Sequence, residues 1–190
     1  MQHHQNRLKI FKYNAILSAL FFLISTVYLS GKIPQYSFSQ YTISQMSYFL
    51  NNSQLSFFNL LFFIKFFLDL SFTSYVFKRF QLKFFNPTSI VWLMAVLSFG
   101  LIGFFPENRF PIFHWIIAGG IFLFWTISEH TLARITRSEG FLYFSNNLIL
   151  VQLIIIVLFF AFNQINAIFE IIYFLLVFLW QIIFISRYLK

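Results

Sequence analysis

Six long runs of apolar residues dominate the chain, and their length constrains the fold more than any other feature. A helix needs about 20 predominantly apolar residues to cross the hydrocarbon core of a bilayer. The runs come close to that length, at about 13–30, 55–77, 89–105, 111–130, 141–162 and 167–187. They predict an all-α, polytopic membrane protein in which residues 1–190 form a single transmembrane domain, a bundle of six helices.

The composition excludes the two main alternatives to a membrane protein. Hydrophobic residues make up 59% of the chain and charged residues only 9%, against roughly 25% charged residues in ordinary soluble domains. A soluble domain of this size hides only about 70% of its chain surface, which is too little to cover so many apolar side chains. Disordered chains are poor in aromatic residues, whereas this one contains 32 Phe.

Basic residues cluster at alternate ends of the apolar runs and predict the orientation. Two of them, Lys32 and Arg109, fall in the connections expected on one side. Ten fall on the other side: Arg7, Lys9, Lys12, Lys78, Arg79, Lys83, Arg134, Arg137, Arg187 and Lys190. The positive-inside rule then places both termini in the cytoplasm, which agrees with an even number of spans.

The formal net charge of +8 would suggest a nucleic-acid partner in a soluble protein. Here the charge lies in short clusters beside apolar runs, so the expected partners are membrane lipids, with another membrane protein or a second copy as further candidates, and no nucleic acid. The exit of the first run, Val27 to Gly31, lacks a small-x-small cleavage pattern, so we expect an uncleaved helix rather than a signal peptide.

The junction of the third and fourth runs predicts how their two helices pack. Pro106 and Pro111 bracket a short segment between the third and fourth runs and predict a tight helical hairpin. Gly100 and Gly103, opposite the small residues 118–120, are expected to let those two helices approach closely.

The polar segment 31–54 is long for a connection. Such a length is typical either of a functional loop or of an interfacial loop anchored by Tyr side chains.

Ionisable residues inside a span are the strongest functional pointers, because each costs about 2.5–3.5 kcal/mol to insert. Lys65 and Asp69 have i, i+4 spacing in the second run and therefore share one helix face. They are either a self-neutralised structural pair or an ion, proton or headgroup site, with Asn59 earlier on the same run. Gln152 and Gln181, in the fifth and sixth runs, could hydrogen-bond to the pair or join helices.

A second polar cluster is expected at the non-cytoplasmic face. Glu107 and Arg109 lie between the third and fourth runs, and His114 and Glu170 begin the fourth and sixth. Ser44 and Gln45, in the long connection, could fold over them. Glu107 and His114 are candidates for acid–base catalysis, and Arg109 for binding a phosphate. The alternative is a hydrogen-bonded lid that seals the bundle.

Metal and cofactor chemistry is not expected. The chain has no cysteine, and His114 and His130 lie 16 residues apart, about 24 Å along one helix, so they cannot share a zinc ion. No glycine-rich phosphate loop and no HExxH pattern occurs. Glu129 and His130, followed by two arginines, are interpreted as a solvated rim at the cytoplasmic interface.

Four short motifs carry a resemblance to a known family. They are Ile43-Ser44-Gln45, Phe58-Asn59, Gly103-Phe-Phe-Pro106, and His114 with small residues behind it. In this order the chain resembles the six-span bacterial and archaeal family called domain of unknown function 998, and more distantly the DRAM, Frag and Sfk-like membrane proteins. Members usually read Ser-Glu-Leu-Gly where this chain has Ser44-Gln45-Met46-Ser47. The resemblance implies six helices, a bacterial plasma membrane, and a role in lipid handling or as a scaffold.

Three functional hypotheses follow. The first is an integral membrane protein that binds lipid or a membrane partner without hydrolytic chemistry. The second is a small transporter or channel that uses Lys65 and Asp69. The third is an intramembrane enzyme that modifies lipid with Glu107 and His114.

Overall fold

A computed structural model describes residues 9–189, and this part of the chain contains helices and no β-strand. The six α-helices are α1 (Asn14–Ser30), α2 (Asn52–Arg79), α3 (Pro87–Ile102), α4 (Pro111–Ile135), α5 (Glu139–Ala161) and α6 (Ala167–Tyr188). Two short 3₁₀-helices, Lys9–Tyr13 and Ser44–Phe49, lie before α1 and between α1 and α2. Arg7 and Lys190, which contribute to the predicted basic side, lie outside the described residues.

Each predicted span corresponds to one helix, and five helical segments are long and apolar enough to cross a membrane. The exception is α3, whose 16 residues extend only about 24 Å. Its start is fixed by the Asn86 side chain, which accepts a hydrogen bond from the Thr88 amide, and by Pro87 in the first turn. An all-α membrane bundle is therefore confirmed in outline, while the count of six spans stays a prediction.

Both ends of the described chain meet at one end of the bundle. The Lys12 ammonium donates to the Leu189 carbonyl at 3.3 Å, and the Tyr188 hydroxyl donates to Ser138 Oγ at 2.9 Å. We call this the basic end, because the helix ends and connections on this side carry Lys12, Lys78, Arg79, Lys83, Arg134, Arg137 and Arg187. The opposite, polar end carries Lys32 and Arg109. That the basic end faces the cytoplasm stays a prediction.

The outside of the bundle is apolar. In the five candidate spans, only 17–39% of the residues in the most apolar window are buried. Large side chains such as Ile112, Ile116 and Val157 are more than 60% exposed. Exposed apolar surface on this scale needs lipid rather than water around it, and this supports a membrane location for the bundle.

Two glycines at the end of α3 pack against α2, a contact that the sequence did not predict. A Cβ atom on Gly100 would lie 2.8 Å from a ring carbon of Phe66, and one on Gly103 would lie 3.0 Å from the Phe62 Cβ. Both neighbours belong to α2, so Gly100 and Gly103, the residue after α3, permit close packing on α2. The predicted close approach of α3 and α4 is made at Gly120, where a Cβ atom would lie 3.0 Å from Ser98 Oγ. On α4, Gly120 faces Ser98 of α3, and Gly119 has open space around it.

Candidate functional site

The segment 31–51, which we call the lid, folds over the polar end and docks on the start of α6. The first amides of a helix have no partner within the helix. Here the Ala167 amide donates to the Tyr41 carbonyl at 2.8 Å, and the Ile168 amide donates to the Phe38 carbonyl at 3.3 Å. The lid is therefore fastened to the bundle by backbone groups that α6 cannot satisfy itself.

Asn166 joins the lid to α6 from the helix side. Its Oδ1 accepts a hydrogen bond from the Phe169 amide at 3.1 Å and caps the helix, and its Nδ2 donates to the Ser39 carbonyl at 3.0 Å. Both bonds form at a buried side chain. One residue thus both starts the helix and holds the lid.

Asn166→Ala is expected to lower the free energy of unfolding by about 1–2 kcal/mol, because it removes the helix cap and the bond to the lid. Protease cleavage within the lid should become faster. Gln164→Ala is the matched control, since Gln164 is exposed in the same turn and should change stability by less than about 0.5 kcal/mol. Thermal unfolding in detergent measures both variants, and equal stability of the two would contradict the role of Asn166.

Ser44 of the lid and His114 of α4 form a hydrogen-bonded pair. His114 is buried one turn inside α4, its Nδ1 lies 2.7 Å from the Phe105 carbonyl, and its Nε2 lies 2.9 Å from Ser44 Oγ. A carbonyl only accepts hydrogen bonds, so Nδ1 of a neutral imidazole carries the proton and donates it. Nε2 is then the acceptor, and the Ser44 hydroxyl donates to it.

The remaining polar groups of the lid reach two carboxyl groups. The Ile43 amide donates to Glu170 Oε2 at 2.6 Å, and Gln45 Nε2 donates to Glu107 Oε1 at 3.4 Å. The structure therefore brings four predicted residues, Ser44, Gln45, His114 and Glu170, together with Glu107. Arg109 is exposed in the connection between α3 and α4.

The predicted pairing of Glu107 with His114 does not form directly. Within residues 9–189, the hydrogen bonds of the His114 ring go to Ser44 and Phe105, and that of Glu107 Oε1 goes to Gln45. Glu107 Oε2 is buried without a hydrogen-bond partner. Ser44 and His114 are 70 residues apart in the sequence, so no local spacing predicts that they pair. The other partner of His114, the Phe105 carbonyl, belongs to the backbone and leaves no residue-type signal.

Two tyrosines of the lid lie beside these carboxyl groups. Burial, together with the negative charge of Glu107, raises the pKa of Tyr48 to about 12. Burial, together with Glu170, raises the pKa of Tyr36 further above its ordinary value. Both phenols therefore stay protonated near neutral pH, and the Tyr36 hydroxyl donates to the Thr42 carbonyl at 3.1 Å inside the lid.

A cavity of about 30 Å³ lies under the lid, and we call it the outer cavity. This volume holds about two water molecules. Its polar lining comes from Ser44, His114 and Glu170. The apolar lining comes from Phe22, Ile43, Phe62, Phe99, Ile102, Ala118, Ile121, Phe122 and Phe174.

A second space of about 30 Å³, the inner cavity, lies deeper in the bundle and is lined by Lys65 and Gln181 among apolar side chains. Phe22, Phe99 and Phe174 line both cavities. Their ring centroids are 5.1–6.3 Å apart. The three rings therefore form an aromatic barrier between the two cavities.

The predicted pair Lys65 and Asp69 is formed and buried. The Lys65 ammonium lies 2.6 Å from Asp69 Oδ2, 3.4 Å from Ser18 Oγ and 4.2 Å from the centre of the Phe99 ring. Attraction to the ring face adds to the ion pair. Asn59 is half-buried earlier on α2, away from the walls of both cavities.

Gln152 joins two helices, the second of its two predicted roles, and does not bind the Lys65 and Asp69 pair. It donates from Nε2 to Glu129 Oε1 at 3.1 Å, and both residues are fully buried between α5 and α4. The expectation of a solvated rim at Glu129 is therefore wrong, because α5 covers this face of α4. His130, the next residue, is only partly buried and lies 2.9 Å from Asn146 Oδ1.

Over the described part of the chain, no three His, Asp or Glu side chains lie close enough to hold a metal ion together. No protein family, curated protein or solved structure matches the chain. The resemblance to domain of unknown function 998 therefore stays a prediction.

Proposed function

We propose that this membrane protein binds a lipid at its polar end, with the headgroup under the lid and an acyl chain in the bundle. The outer cavity is the observation that supports this proposal, because its polar side chains lie near the membrane surface and its apolar side chains lie deeper in the bundle. His114 and Glu170 are each the fourth residue of their helices, close to the membrane surface. Phe122 lies about 12 Å deeper than His114 along α4. A mostly apolar site with a few convergent polar groups is typical of ligand binding.

The charges at this site favour a zwitterionic headgroup. The cavity is lined by no Lys or Arg side chain, and the carboxyl groups of Glu107 and Glu170 lie beside it. A headgroup with net negative charge meets no cation in this lining and is repelled wherever either carboxyl group is ionised. Arg109, exposed at the same end, supplies a donor for the phosphate group, and the carboxyl groups suit the positive choline or ethanolamine.

At about 30 Å³ the outer cavity has room for water but not for a lipid, so lipid entry requires the lid to open. The lid is a short segment without a span of its own, and it is attached by the hydrogen bonds at α6, Glu170 and His114 described above. Lids of this kind commonly open on the microsecond to millisecond timescale.

Native mass spectrometry after reconstitution in phosphatidylcholine or phosphatidylglycerol vesicles tests lipid binding. We expect one retained phosphatidylcholine and at least a threefold preference over phosphatidylglycerol. Arg109→Ala should weaken retention, and Lys32→Ala, which removes the same charge at the same end, should not. Wild-type protein that carries no specific lipid would contradict the proposal.

Filling each cavity separately gives a sharper test. Ala118→Phe places a ring in the outer cavity, and Ala19→Phe places one in the inner cavity. Both changes overpack the core by about 1–3 kcal/mol, so their effects on stability are matched. Only Ala118→Phe should abolish lipid retention, and equal retention in the two variants would contradict binding in the outer cavity.

A second candidate function is transport of a proton or small ion, favoured by the aromatic barrier between two cavities that each carry titratable groups. Apolar constrictions close pores by excluding water. Phe99→Ala should then produce a leak of a pH gradient in proteoliposomes that Lys65→Met removes, whereas the lipid-facing Phe160→Ala should produce none. If proteoliposomes with the Phe99→Ala variant keep their pH gradient, transport along this path is contradicted.

A further inference from the structure

We propose that Ser44 is an acyl-transfer nucleophile and His114 its general base, with an ester-linked lipid as substrate. This inference rests on lipid binding in the outer cavity and deepens it. It departs from the expectation of a protein without hydrolytic chemistry, and it replaces the predicted Glu107 and His114 pair with one that the geometry joins directly.

The direction of the hydrogen bonds prepares Ser44 to lose its proton to His114. A serine becomes nucleophilic when a base accepts its proton and a third group holds that base in place. Ser44 Oγ lies 2.9 Å from His114 Nε2, and the Phe105 carbonyl at 2.7 Å from Nδ1 fixes the imidazole with Nε2 as the acceptor. The carbonyl here takes the orienting place that a carboxylate occupies in many hydrolases.

Thr42 orients the serine from the other side. Its Oγ1 lies 3.0 Å from Ser44 Oγ and accepts from the Gln45 amide at 3.2 Å. Because the Ser44 proton points to His114, the Thr42 hydroxyl donates to Ser44. Thr42 is therefore a positioning residue that holds one Ser44 rotamer.

A lipid in the outer cavity would lie directly beside Ser44 and His114. Ser44 and His114 both line the outer cavity, next to the apolar walls proposed for the acyl chain, and the cavity has room for a hydrolytic water. The Ser44–His114 bond is one of several that hold the lid, and the bonds of Ala167, Ile168 and Asn166 to the lid remain without it. A Ser44 variant should therefore fold.

The reaction balances with water as the only co-reactant. Ser44 Oγ attacks the ester carbonyl carbon while His114 Nε2 takes the hydroxyl proton. The ester carbon–oxygen bond breaks, and His114 returns the proton to the leaving alcohol. Water then attacks the acyl-serine, His114 takes its proton and passes it to Ser44 Oγ, and a fatty acid leaves.

A long-chain alkyl fluorophosphonate tests the nucleophile in the full-length protein. Attack by Ser44 forms an oxygen–phosphorus bond and releases fluoride. Peptide mass spectrometry of the labelled wild-type protein should find the adduct on Ser44. Ser44→Ala should lose the label, and the labelling rate of His114→Ala should fall by about 100-fold or more. Ser39→Ala, on the exposed part of the lid, should label like wild type.

The outcomes separate this inference from lipid binding. A wild-type protein that retains phosphatidylcholine in the native mass spectrum but takes no label overturns the nucleophile alone. Label on a serine other than Ser44 overturns it too, and this readout needs no variant to fold. A labelled Ser44 without any retained phospholipid supports the nucleophile and overturns the proposed phospholipid site.

Discussion

Lys65→Met is expected to lower the free energy of unfolding by about 3–5 kcal/mol, because it leaves the carboxylate of Asp69 buried without its partner. Asp69→Leu should lower the free energy of unfolding by a similar amount, because it leaves the Lys65 ammonium group buried without its partner. The double variant should regain much of the loss, since it removes both buried charges and fills the space with apolar atoms. Chemical unfolding in mixed micelles measures all three variants.

Lys32→Met is the matched control for the loss of one positive charge, because Lys32 is exposed at the polar end. It should change stability by less than about 0.5 kcal/mol. If the two single losses simply add in the double variant, Lys65 and Asp69 do not stabilise one another and the description of the pair is wrong.

Gly100→Ala is expected to destabilise the bundle by about 1–3 kcal/mol. The new Cβ atom would lie 2.8 and 2.9 Å from two ring carbons of Phe66 and 3.3 Å from its Cβ. These atoms are close to the α2 backbone, so they cannot move away as the tip of a long side chain could. The helices must separate or Phe66 must leave its position, and either change loosens the contact between α2 and α3.

Gly119→Ala is the control on the neighbouring helix. Its Cβ meets nothing within 4 Å, and alanine favours a helix over glycine by about 1 kcal/mol. It should leave thermal stability unchanged or raise it slightly. A Gly100→Ala variant as stable as Gly119→Ala would contradict the close approach of α3 to α2.

The helices were predictable from sequence because their cause is local. Apolar runs of bilayer length, Pro106 and Pro111 at a hairpin, and the i, i+4 spacing of Lys65 and Asp69 each depend on neighbouring residues. The short α3 shows the limit of this argument. The Asn86 cap starts α3 at Pro87, before the predicted apolar run begins at residue 89. The helix ends at Ile102, three residues before the predicted run ends.

The sequence predicted which residues belong to the candidate site but not which of them contact one another. The residue types at the polar end suggested Ser44, Gln45, Glu107, His114 and Glu170, but their partners depend on how the lid lies over α4 and α6. The burial of Glu129 shows the same limit, since its charge suggested water while α5 covers it. Such contacts join distant parts of the chain and leave no periodic signal.

We propose that the lid covers a lipid site on the side of the membrane opposite the basic end. The chain has no cysteine, so single-cysteine variants at Ser39 in the lid and Lys83 at the basic end report their positions without background. A membrane-impermeant maleimide applied to intact cells should label Ser39→Cys at once and Lys83→Cys only after the membrane is opened. Labelling of both from outside, or of Lys83→Cys alone, would contradict the account.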